Sequence, residues 1–102
     1  GSLEQWTLLF RPNGVSLRGN NKRYVSSENG DGPMKCDSEE VKEWELFRMR
    51  YLDETRVTLK GNNGKYVTSE NGTEPMTCTA VKAQEWEIFT LEAFPSVLQS
   101  HD

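Results

Sequence analysis

More than a third of this chain is written twice. Sliding the sequence by 42 positions lays residues 15–50 on residues 57–92 without a gap, and 18 of the 36 aligned positions are identical. The identities include Gly19/Gly61, Tyr24/Tyr66, Cys36/Cys78, Trp44/Trp86 and the Glu-Asn-Gly triplets at 28–30 and 70–72. A fixed period of this length marks a fold built from one supersecondary unit used repeatedly, because each unit leaves an apolar face that only a neighbour can cover. Any architecture for the chain must therefore place two like units side by side.

Within each unit the pattern is one of short strands and turns. Val15, Ser16 and Leu17 alternate apolar and polar, then stop at Gly19-Asn20-Asn21, which signals a hairpin. Residues 23–27 read as the return strand, and residues 28–33 as a long turn of types that tolerate positive φ. Residues 34–36 alternate again, residues 37–43 form a charged loop with one helical turn at most, and residues 44–49 close the unit. The second unit predicts strands at 57–59, 65–69, 76–78 and 86–91. Ahead of both, residues 3–10 predict a first strand that loosely echoes the Trp44 strand, with Trp6 matching Trp44. In the closing strand Trp44 and Leu46 lie to one side and Phe47 and Met49 to the other, a pattern that predicts a bulge. Strands starting every 8–11 residues predict an all-β barrel or sandwich.

Composition narrows the classes of function. At 102 residues and 34% hydrophobic content there is material for one small core, in which the aromatics must carry much of the packing. A net charge of −4 argues against nucleic acid or an anionic membrane surface as the main partner. No apolar run is long enough for a membrane span. Gly1-Ser2 reads as the remnant of a cleaved expression tag and carries no fold information. Cys36 and Cys78 are repeat equivalents on different units, whereas a disulfide needs Cα atoms within about 7 Å. Two buried free thiols are expected, and with no His nearby they make no zinc site. The only His, His101, sits at the end of the chain, so no nucleophile has a base within a folded region. No metal site, cofactor or catalytic activity is expected.

The pattern Val-x-Leu-[Arg/Lys]-x-x-x-x-[Arg/Lys]-Tyr-Val-x-Ser-Glu-Asn-Gly, followed by Trp-Glu-x-Phe, occurs at 15–47 and again at 57–89. It resembles the fascin-like branch of the β-trefoil superfamily, which includes the actin-bundling fascins, the hisactophilins and fascin-like modules attached to bacterial glycoside hydrolases. The resemblance implies an all-β trefoil in which three four-stranded units close around a pseudo-threefold axis. Three units of 42 residues would take about 126, roughly 24 more than the 102 present. The expected domain spans 3–102, with units at 15–50 and 57–92 and a partial third at 93–102, where residues 98–102 resemble the step at 59–63. About two and a half units then require a fragment, a two-unit sandwich, or completion by self-association.

Function is expected at loop tips. Glu28, Asn29, Glu70 and Asn71 offer carboxylate and amide groups that read sugar hydroxyls pairwise, and Asn20, Asn21, Asn62 and Asn63 form a second patch beside Tyr24 and Tyr66. The competing explanation is that these residues only make tight turns. Trp44 and Trp86 are expected in the core, with sugar stacking as their alternative role. Lys22, Arg23, Lys60 and Lys65 could meet an acidic filament such as actin, against the plainer role of solvated charge. Asn71-Gly72-Thr73 is a glycosylation sequon. The favoured expectation is a non-catalytic, lectin-like module that binds a glycan or polysaccharide. The alternatives are a fascin-like module that binds actin filaments or another protein, and a homo-oligomerising structural repeat.

Overall fold

The computed structural model describes residues 5–92 and 97–100. Ten strands cover nearly half of them: β1 (Gln5–Arg11), β2 (Gly14–Arg18), β3 (Tyr24–Ser26), β4 (Lys35–Ser38), β5 (Arg48–Tyr51), β6 (Arg56–Lys60), β7 (Tyr66–Thr68), β8 (Thr77–Ala80), β9 (Phe89–Glu92) and β10 (Val97–Ser100). Four short 3-10 turns, at Glu28–Gly30, Glu43–Glu45, Glu70–Gly72 and Glu85–Glu87, are the only helical turns among the described residues.

Six of the strands close on one another. β1 pairs with β2, β5 with β6, β6 with β9, β9 with β10 and β10 with β1, all antiparallel. The remaining seam, between β2 and the start of β5, is stitched by Val15 and Phe47, which exchange two backbone hydrogen bonds of 2.9 Å. Closure removes the free sheet edge that an open arrangement would expose. At this seam Gly14 has φ +148, and a Cβ there would lie 2.7 Å from the Phe47 carbonyl oxygen. Only glycine lets the two backbones approach so closely.

The other four strands form two hairpins, β3–β4 and β7–β8, each joined to the barrel by one hydrogen-bonded step. Both carry an irregularity at the same place, between Tyr24 and Val25 and between Tyr66 and Val67. They converge where the Met34 N–H donates to the Met76 carbonyl at 2.8 Å. The core lies inside the barrel and under these hairpins, with Leu8, Val15, Leu17, Val25, Phe47, Val57, Leu59, Val67, Cys78, Phe89 and Leu98 at most 4% exposed. Burying Phe47 or Phe89 contributes roughly 3–5 kcal/mol each, on the scale of large-to-small core substitutions.

Two expectations are corrected here. Trp44 and Trp86 are 42% and 47% exposed rather than core residues. Each occupies the middle of a 3-10 turn, where Glu45 or Glu87 reaches back to accept a hydrogen bond from the N–H of Lys42 (2.8 Å) or Gln84 (2.7 Å). The turn consumes three residues that a strand reading assigns to alternating faces, so the two-sided pattern of 44–49 comes from this turn and not from a bulge. The same capping buries Glu45 and Glu87, while Glu43 and Glu85 stay exposed. The second correction concerns Trp6. Phe10 faces Val15 as Tyr51 faces Val57, which sets Trp6 against Phe47 rather than Trp44. Trp6 is accordingly 8% exposed and belongs to the core. Leu98 faces Leu91 as Leu59 faces Met49, one period earlier. His101 and Asp102 lie outside the described residues.

Candidate functional site

The eight polar residues expected at loop tips fall into three groups. Asn21 and Asn63 are turn residues in identical roles. The Asn21 side chain accepts from the Arg23 N–H at 2.9 Å and donates to the Cys36 carbonyl at 2.8 Å, and Asn63 does the same with Lys65 (3.0 Å) and Cys78 (2.9 Å). Both ends of each amide are thus occupied in holding the first turn of a unit to its third strand.

The second group forms a junction between the units. The Ser27 hydroxyl donates to Asn62 Oδ1 at 2.7 Å, and Asn62 Nδ2 donates to Asn29 Oδ1 at 2.9 Å. Ser27 and Asn29 belong to the first unit and Asn62 to the second. The corner that presents them is strained: Glu28, Asn29 and Gly30 have φ of 52°, 55° and 77°. Asn and Gly tolerate the left-handed region, whereas Glu costs roughly 1–2 kcal/mol there. The Ser26 and Ser27 hydroxyls support the corner by accepting from the N–H groups of Glu28 and Asn29, both at 3.0 Å. Gly30 is needed twice over, since a Cβ there would lie 2.5 Å from Asn63 Nδ2 and 3.1 Å from the Cys78 carbonyl. Glu28 is half-buried, 3.7 Å from Lys35 Nζ.

The third group is Asn20, Glu70 and Asn71. The side chains of Asn20 and Asn71 are exposed and make no hydrogen bond among the described residues. Glu70 and Asn71 repeat the left-handed corner, at φ 56° each, with the Glu70 N–H held by Thr68 Oγ1 at 3.1 Å. Thr73 of the sequon turns its hydroxyl to the Glu70 carbonyl at 2.9 Å.

The aromatic neighbours of these turns are also engaged. The Arg11 and Arg18 guanidinium groups lie 5.5 and 5.7 Å from the Tyr24 ring centre, and Lys60 Nζ lies 5.3 Å from that of Tyr66. Arg23 pairs with Glu39 at 3.0 Å. Outward and aromatic at matching places are Phe10 (61% exposed) and Tyr51 (53%) on β1 and β5 and, on the twin 3-10 turns, Trp44 and Trp86. The Trp44 and Trp86 carbonyls accept from the N–H groups of Ser27 (2.8 Å) and Ser69 (2.7 Å), so both turns are pinned to the hairpins. Trp86 lines a shallow groove of about 610 Å³ with Gln84, Glu85, Glu87 and Ile88.

Both thiols are free. Cys78 is fully buried, and that burial pushes its pKa up to about 11. Cys36 is only half-buried and lines an open cleft of about 520 Å³ floored by Trp6, so its pKa is raised by burial as well, against a lowering hydrogen bond from Gly19. Sequence equivalence does not reveal this difference. Among the described residues no cluster of His, Cys, Asp and Glu could hold a metal ion, and no helix is long and apolar enough to cross a membrane.

The family model of the fascin domain matches residues 2–91. The chain belongs to the fascin-domain family. A search among curated proteins found no match. Family membership accords with the all-β architecture and the closed barrel, and it makes the chain a fascin-like binding module.

Proposed function

We propose that this fascin-domain chain is a non-catalytic protein-binding module whose contacts are made by the twin Glu-Trp-Glu turns, with an actin filament as the partner. The observation that carries this is the exposure of Trp44 (42%) and Trp86 (47%) at equivalent places on two rigid turns. Large amphipathic rings held in one orientation are the usual anchors of protein interfaces, because they bury much area for little lost entropy. Two such anchors on one chain contact two points of a repetitive partner, and the second contact gains from the first. The actin-bundling fascins, which the chain resembles, supply the identity of the partner.

Glycan binding is the second possibility, favoured by the groove beside Trp86, whose size suits a small sugar and whose ring face could stack on a pyranose. In that case Asn20, Glu70 and Asn71 are the free polar groups, because Asn21, Asn29, Asn62 and Asn63 are spent within the chain. Co-sedimentation with actin filaments at about 50 and about 200 mM salt separates the two, alongside a glycan array on the same sample. Binding to filaments that is lost in Trp44→Ala/Trp86→Ala supports the proposal. A glycan signal with no sedimentation at either salt overturns it.

A further inference from the structure

The dipeptide Asn-Gly occurs four times, at 13–14, 29–30, 63–64 and 71–72. Side-chain amides are lost most readily there, because glycine has no Cβ to shield its backbone nitrogen from the amide carbon beside it. The four are not equal in the folded chain. Asn63 is held at both ends of its amide, by the Lys65 N–H at 3.0 Å and the Cys78 carbonyl at 2.9 Å. Asn13 is exposed, but Gly14 is paired with Arg11 and lies against the Phe47 carbonyl, so its nitrogen moves only if the barrel seam opens.

Asn29 and Asn71 make the closest comparison. They occupy the same backbone corner, at φ 55°, ψ 22° and φ 56°, ψ 23°. The nitrogen that follows is held alike in both: the N–H groups of Gly30 and Gly72 donate to the Ser27 and Ser69 carbonyls, each at 3.1 Å. The side chains differ. Asn29 Oδ1 accepts from Asn62 at 2.9 Å, and Asn62 also accepts from the Ser27 hydroxyl at 2.7 Å. That hydroxyl caps the Asn29 N–H at 3.0 Å, and Gly30 lies against Asn63 and the Cys78 carbonyl. Asn71 is exposed, with no partner for its amide among the described residues, and the Ser69 hydroxyl gives its corner no cap.

We infer that Asn71 is a site of spontaneous deamidation, singled out among the four because no Asn62 stands across from it. When the corner opens locally, the Gly72 nitrogen bonds to Asn71 Cγ and gives up its proton. The side-chain nitrogen takes up a proton and leaves as ammonia. Water then opens the resulting succinimide at one carbonyl or the other, giving isoaspartate or aspartate without oxidant or cofactor. The product carries one more negative charge beside Glu70, and isoaspartate adds a methylene to a backbone with φ positive at three successive residues. Loss of the amide also removes the acceptor of the sequon, so glycosylation and deamidation of Asn71 exclude each other. This chemistry is independent of the partner proposed above.

The whole chain is kept for weeks in mildly alkaline buffer at body temperature, native and in guanidinium chloride. Peptide mass spectrometry follows the gain of one mass unit at each asparagine. Unfolded, Asn29 and Asn71 should react at like rates. In the native chain Asn71 should react at least about tenfold faster than Asn29, the equivalent of more than one hydrogen bond closed over the first corner, and faster than Asn13 and Asn63. Asn62→Ala should speed Asn29 at least about fivefold and leave Asn71 unchanged, which also shows that the variant is folded; an unfolded variant would speed both, and the native comparison then decides. Asn20→Ala should change neither rate. Equal native rates at Asn29 and Asn71, a faster reaction at Asn13 or Asn63, or an intact native Asn71 once the unfolded sample is converted overturns the inference. So does an Asn29 that stays slow in folded Asn62→Ala.

Discussion

Replacing Asn62 by alanine should unsettle the fold, while the same change at Asn20 should not. The two residues are repeat equivalents on the same kind of turn, so propensity and solvent exposure largely cancel between them. Asn62 accepts from the fully buried Ser27 hydroxyl at 2.7 Å and donates to Asn29 at 2.9 Å, whereas Asn20 does neither. Each such hydrogen bond contributes about 1 kcal/mol net, and leaving the Ser27 hydroxyl without its acceptor adds to the loss. Asn62→Ala should therefore cost about 2 kcal/mol, and Asn20→Ala no more than about 0.5 kcal/mol, the usual range for a surface change. In a domain of this size the first corresponds to a drop in Tm of roughly 10 °C. Urea unfolding followed by tryptophan fluorescence measures both, and an unchanged m-value confirms that the native state is compared with like. A double-mutant cycle between Ser27→Ala and Asn62→Ala should show coupling of about 1 kcal/mol, and the cycle between Ser69→Ala and Asn20→Ala none. Equal destabilisation by the two asparagine variants would refute the reasoning.

Two further outcomes are expected. Trp44→Ala and Trp86→Ala should each lie within about 1 kcal/mol of the parent, whereas Phe47→Ala or Phe89→Ala should cost about 3–5 kcal/mol; Trp variants as costly as the Phe ones would return the indoles to the core. The Asp53 carboxylate accepts from the N–H groups of Thr55 and Arg56 and meets Arg56 Nε at 2.7 Å, which lowers its pKa to about 2. Because the folded value is lowered, the turn between β5 and β6 gains from this carboxylate above about pH 4, and the gain is lost as pH falls toward 2. An NMR titration with the Asp53 midpoint near 4 would contradict that account.

Much of the fold can be read from the sequence because its signals are local. Alternation at Val15-Ser16-Leu17, the Gly19-Asn20-Asn21 turn and the Glu-Asn-Gly corners each depend on neighbours a few residues away, and the strands lie close to where those signals put them. The exchange of Trp44 for Phe47 as the core residue was hidden by a period-two count running through a 3-10 turn. One signal could have found it: Glu45 and Glu87 follow Lys42 and Gln84 by three residues, the spacing at which a carboxylate reaches back to cap a helical turn. The junction left no comparable trace. Ser27, Asn29 and Asn62 come from different units and different positions of the repeat, so their meeting depends on how the units are placed in space. The same holds for the thiols, which the sequence presents as equals and the packing does not.

The difference between the thiols tests the central claim most directly, that two like units make one polar junction and leave its other halves open. Native chain at pH 8 is exposed to iodoacetamide, and the two alkylation rates are followed separately by peptide mass spectrometry. Cys36, half-buried at the open cleft, should react at least about tenfold faster than Cys78, which lies beneath the Ser27–Gly30 corner with its pKa raised to about 11. Asn62→Ala should narrow the gap by loosening that cover, and Asn20→Ala should leave it unchanged. Equal rates for the two cysteines in the folded chain would contradict the account.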